Sequence, residues 1–186
     1  NRDGFYLIDE TGAIAVTTTG DVLATVKVGN RIVLKGVRTQ FNSGSDKSKF
    51  GQSCIFDCEL LANYYGENEY STNSFVSGQT LESLKALDTQ EDHTTTVYVL
   101  ENAKFVREET AFYTKMILAV GETTIDLYCS SANQYRWLND YISGSKTFKV
   151  ELALCNWNGK AYFTGCLLAV YNEDGTKTCN TLNFQQ

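Results

Sequence analysis

Any chemistry in this 186-residue chain would have to rest on few side chains. His93 is the only imidazole, and nucleophilic hydrolysis needs a base beside its nucleophile. Within Glu91-Asp92-His93 it reads as a solvated loop histidine. No G-x-S-x-G elbow, phosphate-cradling glycine loop or dinucleotide fingerprint occurs. The paired carboxylates Glu108/Glu109 and Glu173/Asp174 fall at turn positions, and turn chemistry accounts for them without a glycosidase. Asn172-Glu173-Asp174-Gly175 has oxygens to offer calcium but lacks the EF-hand spacing. Cys54, Cys58, Cys129, Cys155, Cys166 and Cys179 include no C-x-x-C pair, so a zinc site would need thiolates from distant segments. Cys54 and Cys58 sit four apart in an apparent strand, about 13 Å from each other, too far to bond together. Buried free thiols and one or two bridges among the others both stay open. No catalysis, metal or cofactor is expected.

The aromatic residues say more: 10 Phe, 11 Tyr and 2 Trp. Most must fill a core, but Trp157 lies between Asn156 and Asn158 at an apparent hairpin tip. A tryptophan flanked by amides suits stacking on a sugar face, with hydrogen bonds to hydroxyls, and would equally suit a base. Packing onto another part of the protein is the competing reading.

Strand signals must position these groups. Residues 5–8 and 13–17 flank Asp9-Glu10-Thr11-Gly12 and read as a hairpin. Residues 26–41 carry a turn at Gly29-Asn30 and a β-branched run; 42–49 is a polar loop, and 54–61 is the next strand. Leu81, Leu84 and Leu87 predict a short helix in an acidic connector. Beyond it, strands are legible at 95–107, 111–120 and 123–129. A helix follows over 132–142, with Ser131 and Gln134 as a capping box. Alternation at 148–154 and the turn Asn158-Gly159 predict a second hairpin running to residue 171.

The second half repeats the first in fuller form. Three strands, a helix and a two-strand hairpin is the order of an OB-fold, a five-stranded Greek-key barrel. The wording agrees. Gly4-Phe5-Tyr6-Leu7-Ile8-Asp9-Glu10-Thr11-Gly12-Ala13-Ile14 resembles the G-F-Y-x-x-D-E-T-G-x-I hairpin of OB-like domains in secreted and surface proteins of gut-type bacteria. Val28-Gly29-Asn30-Arg31-Ile32-Val33-Leu34-Lys35-Gly36 resembles the V-G-x-x-V-x-x-x-G strand that follows it there, and residues 124–184 are similar to a second such domain.

The resemblance implies an all-β protein. An incomplete OB-like barrel occupies residues 1–75, a connector 76–94, and a full OB-like barrel with one helix 95–186. The first barrel lacks its first strand, so an open edge is expected. A strand from the parent polypeptide, from a neighbouring subunit or from the C-terminal tail would fill it. OB-folds bind ligands on strands two and three and on the four–five loop. That places Tyr113, Lys115 and Tyr128 beside Trp157, Asn156 and Asn158 as the candidate ligand site.

Charge narrows the partners. A net charge of −6 and a pI near 4.8 argue against nucleic acid, which is bound mainly through clustered lysine and arginine. No apolar run approaches the roughly 18 residues of a transmembrane helix. About nine prolines would be average and none is present, so glycine and asparagine must do the turning. The chain opens without methionine and reads as a processed piece. The expectation is a non-catalytic binding or adhesion module of a larger exported bacterial protein, at the cell surface or outside it, with a glycan as one ligand class. The rivals are an accessory domain of a secreted nuclease or protease, and a filament subunit completed by a neighbour's strand.

Overall fold

The computed structural model describes residues 3–18, 21–66, 70–111, 114–128, 135–142, 144–180 and 184–185. The chain is mostly β. Strands β1 (Asp3–Asp9) and β2 (Gly12–Thr18) form the predicted hairpin. Asp9 Oδ1 closes its turn by accepting from the Thr11 N–H at 2.7 Å and the Gly12 N–H at 3.2 Å. After a short helix α1 (Asp21–Thr25), strands β3 (Arg31–Phe41) and β4 (Gln52–Tyr64) make a second, longer hairpin. β4 returns parallel to β2 through Ala15–Cys54, Val16–Ile55 and Thr17–Phe56.

The connector holds β5 (Val76–Ser77) and α2 (Leu81–Lys85), whose N-cap Thr80 accepts from the Ser83 N–H at 3.1 Å. Next come β6 (Val97–Glu109), β7 (Thr114–Val120) and β8 (Thr123–Asp126), then β9 (Phe148–Cys155), β10 (Thr164–Tyr171), β11 (Lys177–Cys179) and β12 (Phe184–Gln185). The sheets run β12-β1-β2-β4-β3 and β11-β10-β9-β6-β7-β8, with β5 added to β6. Both repeat one plan: a hairpin, a short helical crossover, and a second hairpin whose last strand lies parallel to the end of the first. In the second sheet that parallel contact is a single bridge, Leu127 to Gly165. Among the described residues, neither sheet's ladder closes on itself.

One expectation needs correction, and one helix was not foreseen. The described part of the helix expected over 132–142 is a tight 3₁₀ turn, Arg136–Tyr141, without a side-chain cap; Ser131 and Gln134 lie outside the described residues. Helix α1, in the corresponding crossover of the first sheet, carried no sequence signal because it has no buried face.

The core is lopsided. Leu100, Phe105, Leu118, Leu138, Val150, Leu152, Leu154 and Leu167 fill the second unit, with Leu81 and Leu84 of α2 packed against them. Of the largest fully buried side chains only Val16 and Gln52 come from the first sheet. A smaller cluster joins the two: Ala15 and Cys54 against Ala153, Cys155, Trp157 and Cys166, flanked by Tyr6, Phe41, Phe56 and Tyr128. The first sheet therefore leans on the second for much of its burial, and β3, at its edge, has no fully buried residue.

Candidate functional site

The tip between β9 and β10 is built by its amides. Asn156 Oδ1 accepts from the Lys160 N–H at 2.8 Å and Asn156 Nδ2 donates to the Lys160 carbonyl at 3.2 Å, folding residues 156–160 back on themselves. The fold turns this tip inward. Trp157 is only 5% exposed, with the rings of Phe41 at 6.1 Å and Tyr128 at 6.4 Å between centroids. Its carbonyl accepts from the Ser43 N–H at 3.0 Å, and Ser43 Oγ donates to Asn158 Oδ1 at 2.6 Å.

The structure thus gathers Trp157, Asn156, Asn158 and Tyr128, but as a junction between the sheets, and the Trp157 ring is covered on the side a sugar would need. Asn158 alone of the four is exposed. Lys115 is tied into ion pairs with Asp126 at 2.8 Å and Glu108 at 3.9 Å. Tyr113 lies outside the described residues. The aromatic ring exposed near this tip is Tyr162, with Lys160 Nζ 5.1 Å from its centroid.

The other sequence candidates also resolve into structure. His93 is half-buried rather than solvated, edge-on to Phe163 at 5.8 Å, with Nε2 3.6 Å from Glu91. Glu109 accepts from Thr114 Oγ1 at 2.8 Å and Arg107 Nε at 2.6 Å, which hold its carboxyl below the ordinary range. Asp174 caps its turn through Thr176, and Glu173 pairs with Lys146 at 3.0 Å. Cys54, Cys58, Cys155, Cys166 and Cys179 are free thiols, and Cys129 lies outside the described residues. Burial pushes the Cys54 thiol up to about 12, so it is a poor nucleophile at neutral pH. No group of three or more His, Cys, Asp and Glu among the described residues is placed to hold a metal ion.

The densest polar constellation is one that sequence reading passed over. Glu151, 0% exposed in the middle of β9, accepts from Tyr70 Oη at 2.5 Å, Tyr171 Oη at 2.7 Å and Lys177 Nζ at 3.2 Å. Lys177 Nζ also stands 4.0 Å from the centroid of the Tyr70 ring. Burial, then hydrogen bonding to Glu151, raises both phenols well above their usual range. Both carboxylate oxygens already hold internal donors, so the cluster reads as a buried staple joining the segment after β4 to β9, β10 and β11. Its one signal in the sequence is an acidic residue inside the otherwise apolar run Val150-Glu151-Leu152-Ala153-Leu154-Cys155.

The surface left unsatisfied lies on the β3–β4 hairpin. Val33, Val37, Leu61, Tyr64 and Tyr65 are all exposed, Val37 to 73% and Tyr65 to 72%. Local geometry explains the outward turn: the β3–β4 register skips at Leu61 and again at Asp57–Cys58, where Asp57 takes a φ of 46°. At this second bulge the strands close on Gly36, where a Cβ would come within 2.4 Å of Ile55 Cγ2. Among the described residues, β3 has β4 on one side and no strand on the other. On the opposite edge of the sheet, β12 pairs with β1 at Asp3 and Gly4 among the described residues. Among the described residues no helix is long and apolar enough to cross a membrane. No protein-family model, curated protein or solved structure matches the chain.

Proposed function

We propose that the chain is a non-catalytic binding module of a larger exported protein, made of two OB-like units, and that it binds an extended protein segment along the open hairpin of the first unit. The carrying observation is the coincidence on β3–β4 of a strand without an outer neighbour among the described residues and a group of exposed apolar side chains, Val33, Val37, Leu61, Tyr64 and Tyr65. An open edge offers alternate backbone donors and acceptors to an added strand, and exposed apolar side chains beside it supply contact area. The OB-like reading is supported by the shared plan of the two sheets: the parallel β2–β4 ladder and the Leu127–Gly165 bridge both sit where strands three and five of such a barrel meet. The short tail strand β12 lies where the first unit's missing strand would run. The exported setting rests on the likeness of residues 4–14 and 28–36 to bacterial surface domains.

Selection of a random linear-peptide library on the purified protein tests this. Enriched peptides should alternate apolar residues, slow hydrogen exchange at residues 31–35, and lose binding in Val33→Lys and Val37→Lys. A library without binders, alongside a glycan that binds at Tyr162, would replace this reading with a sugar-binding one.

A further inference from the structure

We infer that the protein segment received by β3 is acidic, with aspartate or glutamate at two positions four residues apart and an apolar residue midway between them. This deepens the reading of β3 as a strand acceptor and rests on it. The regular part of β3 sets the spacing. Over residues 31–35 the side chains alternate, Arg31, Val33 and Lys35 exposed, Ile32 and Leu34 half-buried. The extra residue of the first bulge, Leu61, belongs to β4, so β3 keeps its alternation past it. The alternation ends at Gly36, where β3 closes on Ile55 and the register with β4 skips again. One face of the acceptor thus reads cation, apolar, cation, with its two charged positions about 13 Å apart.

Charge picks the partner. β3 carries Arg31, Lys35 and Arg38 and no acidic residue, in a chain of net charge −6. Arg38 is already paired with Asp92 at 3.3 Å, whereas Arg31 and Lys35 have no ion pair among the described residues. Arg31 stands 5.9 Å from the centroid of the Tyr64 ring. Glu59 lies opposite Lys35 on β4, one strand further from an incoming segment. Directly across a ladder, opposite charges attract and like charges repel. A basic segment would therefore be turned away at both positions, and an acidic one held at both.

The pattern acid, any, apolar, any, acid reads the same in either direction, so it serves a parallel or an antiparallel strand. The chain does not contain it. Acidic residues stand four apart only at Asp88 with Asp92 and at Glu122 with Asp126, and their midpoints are Gln90 and Thr124. The occupant comes from outside these 186 residues, and a second copy of them does not supply it.

Peptide titration followed by nuclear magnetic resonance and amide exchange tests this on the intact chain. The probe is a blocked eleven-residue threonine peptide with valine at its centre and glutamate two places to either side. It should shift and protect the amides of residues 31–35. Replacing both glutamates by lysine should weaken binding about tenfold or more, because two attractions become two repulsions. Setting the two glutamates side by side, at unchanged composition, should weaken it too, and high salt should erase the differences. The double variant Arg31→Glu/Lys35→Glu, both positions being exposed, should keep its far-UV spectrum and prefer the lysine peptide. Equal binding of the spaced-glutamate and lysine peptides to wild type overturns the inference and leaves β3 an acceptor of any strand. So does equal binding of the side-by-side peptide, since charge without spacing would then suffice. Library binders that lack the spaced acids, or protection of 31–35 that grows with protein concentration without peptide, overturn it as well. If neither these peptides nor any library peptide protects 31–35, the acceptor reading falls with it.

Discussion

The backbone N–H of Asn156 donates to Gln52 Oε1 at 3.1 Å, in a place where neither residue is exposed. One residue begins β4 of the first sheet and the other follows β9 of the second, so a single buried amide locks the two units in register. Around it Ser53 donates to Asp92 and its N–H is taken by Thr94 of the connector, while Ser43 holds the Trp157 carbonyl. The two units are one interlocked body at this seam, and the residues that looked most like a ligand site are its parts.

Gln52→Leu should therefore destabilise the chain by about 1–3 kcal/mol, the range for leaving a buried polar group without its partner. Urea unfolding monitored by far-UV circular dichroism gives the value. A neutral result would mean that water replaces the glutamine oxygen and that the seam is wetter than its burial implies.

Trp157→Ala should act on stability. Removing a ring that packs on Phe41 and Tyr128 in a buried cluster is expected to cost about 3–5 kcal/mol. Trp157 fluorescence, isolated in a Trp137→Phe background, should be blue-shifted in the native state. A stable variant with red-shifted parent emission would return Trp157 to the surface, and with it the sugar-stacking reading.

Gly44→Ala probes the same seam from the loop side. A Cβ there would stand 2.0 Å from the Asn158 carbonyl oxygen, so the loop over 42–49 must retreat. The expected cost is about 1–3 kcal/mol, with faster hydrogen exchange at the Ser43 N–H. Unchanged exchange at Ser43 would show that the loop and the Asn158 turn are not in contact in solution.

How much was legible beforehand follows from which physics is local. Elements encoded by neighbouring residues were readable: the turn from Asp9 to Gly12, the Asn158-Gly159 turn, and the short helix of Leu81 and Leu84. Strand β9 followed from the alternation at 148–154. What escaped depends on distant partners. Glu151 looked like an outward residue because alternation assumes one covered face, and β9 is covered on both. Trp157 looked exposed because a hairpin tip usually is, and only the first sheet's Phe41 and Ser43 reveal why this one is not. The exposed β3–β4 surface was missed for the converse reason: Val33, Val37 and Leu61 read only as strand residues, and the bulges that turn them outward leave no periodic trace.

Alkaline titration tests the Glu151 staple. Tyr70 and Tyr171 both donate to its carboxylate, and burial first, then that hydrogen bond, hold their phenols protonated beyond the usual value of 10.0. In the unfolded chain both ionise near 10. The stabilisation is therefore fully present below about pH 10 and is lost as the pH rises further, because the unfolded state alone releases its protons. Tyrosinate absorbance should show Tyr70 and Tyr171, with Tyr6 and Tyr98 that burial also raises, lagging behind the rest of the eleven tyrosines until the chain unfolds, and urea stability should fall steeply above pH 10. Tyr171→Phe should make that fall shallower. Glu151→Gln should bring Tyr70 and Tyr171 part of the way back toward the rest, because the carboxylate that their hydrogen bonds serve is gone while their burial remains. If all the tyrosines of the wild type ionise together near 10 while the chain stays folded, the cluster is open to solvent and holds nothing together.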